Sequence, residues 1–186
     1  MCRAPITLGR SSEWDVRELD WFSKHSYNLT MRNVSVWHPQ HALRTIICCI
    51  FFIDQYPVDI GEQVSDDLSL RKMFCEYTAG TCLVNLARGE DNIEQQLQYY
   101  LQLRKHVLAF DELLQGKLKK LPENASTDLL KKLESLMAYD CEAACHLKAW
   151  EGIGEIVLKA KICKSMPLYL VMADCILSCR APTPSE

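Results

Sequence analysis

Helical periodicity runs through almost the entire sequence, and it restricts the fold more than any other feature does. Apolar residues recur three and four positions apart, and no segment shows a competing strand pattern. Only seven Gly and seven Pro occur among 186 residues, which is few for a protein built on many β-turns. The pattern therefore predicts an all-α fold of about seven helices, over residues 15–34, 39–56, 67–88, 90–115, 126–147, 148–164 and 166–180.

Residue types at the ends of these segments predict where helices start and stop. Pro39 suits a first helical turn, and Ser65 is a plausible N-cap for the third helix. Gly89 and Gly116 are expected to end the third and fourth helices. The apolar stripe of the fourth helix is predicted to comprise Ile93, Leu97, Tyr100, Leu101, Arg104, Val107 and Leu108.

Short connections between the predicted helices indicate antiparallel neighbours. Two architectures satisfy this condition: a closed bundle, and a solenoid in which helical hairpins stack in sequence order. We expect one helical domain over residues 15–180. A poorly ordered segment, residues 1–14, is expected to precede it, and an unstructured tail, residues 181–186, to follow it.

Charge and hydropathy argue against two classes of partner. The net charge is −3 and the isoelectric point is near 6.0, whereas binding to a phosphate backbone depends on a basic surface. The longest apolar run, Thr45–Ile53, is far shorter than the roughly 20 residues that a membrane-spanning helix needs. The first residues also lack the apolar stretch of a signal peptide. We therefore expect neither direct nucleic-acid binding nor a membrane partner.

Ten cysteines raise the question of a metal site, although no C-x-x-C motif is present. Cys141 and Cys145, and likewise Cys175 and Cys179, are four residues apart, so each pair lies on one helix face. The two pairs could supply four thiolates to zinc only if their helices met at those faces. The favoured interpretation is that the cysteines are small apolar residues packed between helices, which predicts no metal and no cofactor.

One segment favours the solenoid over the bundle. The first helix of the tetratricopeptide repeat (TPR) carries the motif W-x2-L-G-x2-Y, and Trp150, Ile153, Gly154 and Val157 match its spacing. In the following helix, Leu170 and Ala173 fall where the repeat has its large and small packing residues. A Gly opposite an Ala would let the two helix backbones approach closely. The alternative is an ordinary helical hairpin that matches by chance.

The stretch 86–106 contains a motif that is carried by Leu86, Ala87, Arg88, Glu90, Asp91, Asn92, Tyr99, Tyr100 and Arg104. This stretch resembles a hallmark of the fungal meiosis-specific TPR scaffold family of synapsis initiation and crossover control. Residues 18–29 and 148–174 resemble the same family, and the similarity runs from about residue 18 to residue 179.

The resemblance implies a degenerate TPR-like solenoid that acts in sporulation as a non-enzymatic hub in the meiotic nucleus. Such a hub docks other crossover and synapsis proteins on chromosomes and helps assemble the synaptonemal complex. The fourth helix and the Trp150 hairpin would then help to shape the partner groove. The chain is shorter than a typical member and resembles its C-terminal part, so a non-functional fragment of a longer TPR protein is an alternative.

Motifs of catalysis are absent from the sequence. It contains no G-x-S-x-G, no P-loop, no H-E-x-x-H and no dinucleotide-binding fingerprint. The sequence therefore predicts a protein that is not an enzyme and has no catalytic residues. The competing hypothesis from another functional class is a helical regulator that uses its cysteines for metal or redox chemistry.

Overall fold

The computed structural model describes residues 14–117 and 123–180, and this part of the chain is all-α. It confirms the predicted helical class and the seven α-helices. They are α1 (Val16–Asn33), α2 (Pro39–Asp54), α3 (Glu62–Arg88), α4 (Ile93–Lys117), α5 (Glu123–His146), α6 (Trp150–Ala160) and α7 (Met166–Arg180), with a 3-10 turn at Lys161–Cys163 before α7. The predicted tail, 181–186, and most of the predicted N-terminal segment lie outside the described residues.

The helices stack in sequence order through the first five and then depart from it. Each helix from α1 to α5 packs against the next one, as expected for consecutive antiparallel hairpins. α5 also contacts α3, and both α6 and α7 pack against α5. α6 and α7 make few contacts with each other. The architecture is therefore a helical-hairpin array centred on α3, α4 and α5, and its relation to TPR solenoids stays a prediction.

Local sequence explains several of the helix starts. Asp15 caps α1 by accepting a hydrogen bond from Arg17 N, and Glu18 completes a capping box by accepting from Asp15 N at 3.1 Å. Pro39 occupies the first turn of α2, as predicted. Ser165 Oγ accepts a hydrogen bond from Leu168 N at 3.3 Å and so caps the start of α7.

The predicted boundaries of α3 and α4 were partly wrong. α3 begins at Glu62, so Ser65 is not an N-cap and instead donates its backbone N–H to Gly61 O at 3.0 Å. α4 continues through Gly116 to Lys117. Glycine is tolerated inside a helix at a modest cost, and it ends one mainly by adopting positive φ. No described glycine has positive φ, so Gly116 supplies no such stop.

The start of α6 also differs from the prediction, which placed it near Lys148. Lys148 has left-handed backbone geometry, with a φ of 55°, and it lies between α5 and α6. Ala149 N bonds to Ala144 O at 2.8 Å, which closes the C-terminal turn of α5. The helix therefore restarts at Trp150.

The buried face of α4 is rotated relative to the predicted stripe. Ile93, Leu101 and Leu108 were expected in the core, but they are 72%, 45% and 48% exposed. The side chains that α4 buries are Tyr100, Leu103, Val107, Phe110, Asp111 and Leu114. Apolar residues occur on both sides of this helix, so periodicity alone did not determine which side meets α3 and α5.

The close approach predicted for the TPR-like hairpin is wrong. Gly154 is exposed, and no atom lies within 4 Å of the position that a Cβ atom would take there. Ala173 is exposed as well, and Leu170 is 64% exposed. The reason is that α7 turns Leu168 and Met172 toward the core instead, because it packs on α5 and not on α6.

The remaining residues of the repeat motif do pack. Trp150, Ile153 and Val157 are half-buried and lie against the core.

Trp14 was assigned to the poorly ordered N-terminal segment, but its ring makes edge contacts with Phe22 and Phe52, at 5.7 and 5.8 Å between centroids.

None of the described helices combines the length and apolar character needed to cross a membrane.

Candidate functional site

Two residues of the family-like motif, Arg88 and Tyr100, converge on Glu142 of α5. Arg88 donates from Nε to Glu142 Oε1 at 2.9 Å and from Nη2 to Oε2 at 2.5 Å. The Tyr100 hydroxyl donates to Glu142 Oε1 at 2.9 Å. Bidentate arginine–carboxylate pairs are strong and directional. The motif therefore ties α3 and α4 to α5 through one carboxylate.

Electrostatics at this carboxylate favour its ionised form. Burial would raise the pKa of Glu142, but the hydrogen bonds and charge of Arg88 outweigh burial and lower that pKa. Burial, together with the neighbouring Glu142, raises the pKa of Tyr100, so its hydroxyl remains a donor at neutral pH. His146 stacks on the Tyr100 ring at 4.7 Å between centroids. Arg88, Tyr100 and Glu142 therefore hold three helices together, which is a structural role.

Three further motif residues, Glu90, Asp91 and Asn92, lie in the turn between α3 and α4. Asn92 Oδ1 accepts from Gln95 N at 3.0 Å, and Glu90 Oε1 accepts from Asn92 N at 3.1 Å. Ala87 is buried, whereas Leu86 and Tyr99 are half-buried and Asp91 is exposed. Glu90 and Asn92 thus build the entry to α4, whereas Arg104 of the motif lines a different surface.

A groove lies between α4, α5 and α6. Its volume is about 340 Å³. Its apolar wall consists of Leu101, Val107, Leu108, Met137 and Ile156. The sequence predicted a partner groove shaped by the fourth helix and the Trp150 hairpin. The groove in the structure is lined by residues of α4 and α6, the helix that begins at Trp150. The sequence did not indicate that α5 forms its floor.

Five of the six charged side chains that line the groove lie beside a side chain of opposite charge. Arg104 Nε donates to Asp140 Oδ1 at 2.8 Å. Lys159 Nζ lies 3.8 Å from Asp111 Oδ2 and 3.1 Å from Glu155 Oε1. Asp111 and Asp140 are only 5% and 8% exposed. Buried carboxylates need such partners, because an unpaired buried charge is costly.

The burial of Asp140 remains unfavourable for its ionised form even though Arg104 lies beside it. Desolvation raises the pKa of Asp140, and the charge and hydrogen bond of Arg104 offset this only in part. Motif residue Arg104 thus neutralises a buried acid beside the groove. Lys105 at the rim is exposed, and it has no ion-pair partner among the described residues.

A thiol cluster joins α5 to α7. The Sγ atoms of Cys145, Cys175 and Cys179 lie within 4.8 Å of one another. Cys141, one turn before Cys145, is buried, and its thiol donates to Met172 O of α7 at 4.0 Å. The condition that the sequence set for a metal site, that the two cysteine-bearing faces meet, is therefore satisfied by the helix packing.

The prediction that the cysteines are packed in the core is correct for only some of them. Nine of the ten lie in the described part, and all nine are free thiols. Cys141 and Cys145 are buried, but Cys179 and Cys48 are exposed. Burial, the leading cause, raises the pKa of Cys145 to about 11 and that of Cys175 to about 12.

A second thiol contact lies between α2 and α3. Cys75 Sγ donates to Cys49 Sγ at 3.5 Å, and Cys49 Sγ donates to Ser23 O at 3.2 Å. The hydrogen bond from Cys75 lowers the pKa of Cys49, whereas the same contact and burial raise the pKa of Cys75. The sequence carried no signal for the contact between Cys75 and Cys49, which are 26 positions apart.

A buried polar contact between α3 and α4 was also missed. Glu76 is 3% exposed, and its Oε2 atom lies 2.5 Å from His106 Nδ1. A single acidic residue within an apolar stripe carries no sequence signal that it has a partner thirty positions away.

Comparison with known proteins identifies no relative. The chain matches no family model, no curated protein and no solved structure.

Proposed function

We propose that this protein is a non-enzymatic interaction scaffold that acts in the meiotic nucleus and docks crossover and synapsis proteins. The meiotic context rests on the resemblance of the segment around Arg88, Tyr100 and Arg104 to the TPR scaffold family. The interaction role rests on the groove between α4, α5 and α6. Two of those motif residues, Tyr100 and Arg104, anchor α4 to the helix that forms the groove floor.

The observation that carries the interaction role is an exposed pair of leucines on the groove wall. Leu101 and Leu108 are seven residues apart, so they lie on the same side of α4, two turns from each other. Both are nearly half exposed and border the groove together with Ile156. A helix that presents apolar residues at positions i, i+3 or i+4, and i+7 fits such a surface.

Charge selects the kind of helix that would dock there. The groove acids Asp111 and Asp140 are already matched by Lys159 and Arg104. Lys105 is the rim cation that remains exposed. An acidic residue beside the apolar face of the partner helix would complement it and set the orientation of docking. The proposed occupant is therefore an amphipathic, acidic helix of a partner protein.

The same pairing argues against catalysis in the groove. A general acid–base pair needs a titratable group that can reach substrate with the appropriate protonation state. Here the two buried carboxylates are held by cations that belong to the fold. The groove suits recognition by shape and charge.

Affinity purification of the tagged protein tests the proposal, with meiotic and vegetative cells processed in parallel. Crossover and synaptonemal complex proteins should be enriched only in the meiotic sample. The Leu101→Asp/Leu108→Asp variant should lose them, because it places charge on the apolar wall. Val58→Asp changes a fully exposed valine far along the chain from the groove residues, and it should keep them.

The two parts of the proposal can fail separately. Equal recovery of partners from both cell types, or recovery of none, would refute the meiotic assignment. Retention of the meiotic partners by the groove variant would refute docking through this groove. A circular dichroism spectrum and a melting curve for each variant establish that both remain folded.

A further inference from the structure

The cysteines of α5 and α7 are arranged in two helical pairs that face each other. Cys141 and Cys145 lie one turn apart on α5, and Cys175 and Cys179 lie one turn apart on α7. Side chains four residues apart project from one helix face. Because α7 packs directly on α5, the two pairs meet across the interface.

Distances within the cluster suit one metal ion. The Sγ atoms of Cys145, Cys175 and Cys179 all lie within 4.8 Å of one another. Zinc–sulfur bonds of about 2.3 Å in a tetrahedral site place the sulfur atoms roughly 3.8 Å apart. Side-chain rotations that shift the sulfur atoms by about 1 Å would close the cluster around an ion without moving the helices.

A fourth thiol, that of Cys141, lies one helical turn before Cys145 on the same face of α5. Cys141 is fully buried, and its thiol donates to Met172 O of α7 at 4.0 Å, so it faces the helix that carries Cys175 and Cys179. Exposure increases through the cluster, from buried Cys141 and Cys145 through half-buried Cys175 to exposed Cys179. Cys179 therefore lies where an ion would enter from solvent.

We propose that Cys145, Cys175 and Cys179 bind a single Zn²⁺ ion, with Cys141 as the fourth thiolate ligand. Soft thiolates select zinc over magnesium or calcium, and four protein ligands make the site structural. On binding, each thiol loses its proton to solvent and forms a zinc–sulfur bond, with no change of oxidation state. The ion would fix α7 to α5, while Met166, Leu170 and Leu177 stay exposed on α7.

Metal binding is measured on the untagged full-length chain, reduced, stripped with a chelator and then dialysed against zinc. We expect one equivalent of zinc per chain by elemental analysis. With free zinc at a hundredfold excess over its Kd, the Tm should rise by about 5–10 °C. Cobalt substitution should produce the intense visible bands of a tetrahedral site and a near-ultraviolet thiolate-to-cobalt charge-transfer band.

Matched serine variants identify the ligands. Cys175→Ser/Cys179→Ser removes one half-buried and one exposed thiol of the cluster, and it should abolish zinc retention and the charge-transfer band. Cys48→Ser/Cys163→Ser removes one exposed and one half-buried thiol elsewhere, and it should retain both. Cys141→Ser should weaken binding at least tenfold and reduce the charge-transfer intensity.

Specific results would overturn the assignment. Less than a tenth of an equivalent of zinc on the wild-type chain, or a cobalt spectrum without the charge-transfer band, would exclude the site. Equal zinc retention by the Cys175→Ser/Cys179→Ser variant would place any bound metal elsewhere. An unchanged affinity and spectrum for Cys141→Ser would remove Cys141 from the ligand set.

Discussion

Gly80 of α3 approaches Leu136 of α5 so closely that a Cβ atom at position 80 would lie 2.8 Å from Leu136 Cδ2. Leu103 of α4 borders the same point, with its Cδ1 at 3.6 Å. The three central helices therefore meet at a position where only glycine fits without displacement. The close glycine contact that was predicted at Gly154 is found here instead, in the middle of α3.

Replacing Gly80 with alanine should destabilise the protein by about 1 kcal/mol. Alanine favours the helix by about 1 kcal/mol, but overpacking against a fully buried leucine costs about 1–3 kcal/mol. Urea denaturation measures the net change. In a Leu136→Val background, which removes the obstructing atom, the same Gly80→Ala change should become neutral or stabilising. A stabilising effect in the wild-type background would contradict the close approach.

Replacing Gly154 with leucine should leave the melting temperature unchanged or raise it by about 2–4 °C. The position is exposed with open space around it, so the better helix propensity of leucine is gained without a clash. The TPR register predicts the opposite result, because it would place Gly154 against the next helix. Differential scanning calorimetry distinguishes the two expectations. A clear fall in Tm would support the TPR register.

Arg104→Met should cost about 1–3 kcal/mol at pH 7, because it leaves Asp140 buried without its cation. The pKa of Asp140 is raised above its ordinary value of 3.8, so the ionised carboxylate lowers stability as the pH rises through that pKa. Loss of Arg104 would raise the pKa further. The variant's deficit should therefore shrink as the pH falls toward 4 and Asp140 becomes protonated.

Urea titrations of the wild-type and variant chains at both pH values measure that difference. Arg44→Met, at an exposed position of α2, is the matched control and should change stability by less than about 0.5 kcal/mol. A deficit for Arg104→Met that is the same at pH 7 and pH 4 would show that lost packing, and not the charge of Asp140, is responsible.

Cys48 and Cys49 are adjacent in the sequence but should differ in alkylation rate by at least roughly a hundredfold. Cys48 is exposed, whereas Cys49 is fully buried and bonded to Ser23 O and Cys75. Pulsed alkylation under native conditions, read out by peptide mass spectrometry, gives both rates in one sample. Comparable rates would mean that α2 is rotated from the orientation described.

Much of the fold was predictable because helical periodicity is a local property. The seven helices and the start of α2 at Pro39 followed from residues within one or two turns of each other. The errors arose at residues whose type favours a helix end but that lie inside a helix. α3 begins before Ser65, at Glu62, and α4 continues past Gly116 to Lys117.

The candidate sites were less predictable, because each joins residues from separate helices. The Arg88–Glu142 pair spans 54 positions, and the groove combines α4, α5 and α6. Two cysteine pairs were visible in the sequence, each on one helix face. Only the packing of α7 against α5 brought three of the four thiols within 4.8 Å.

By itself, the sequence determined the helical class, the number of helices and which residues could share a helix face, since these depend on contacts three or four positions apart. Tertiary structure alone decided which face of each helix is buried. Exposed Leu108 and buried Val107 are equally apolar neighbours on α4, and only contact with α3 and α5 distinguishes them. The groove, the thiol cluster and the Gly80–Leu136 contact all depend on that choice. It is set by the fit of whole helices to one another, through many side-chain contacts that no local pattern encodes.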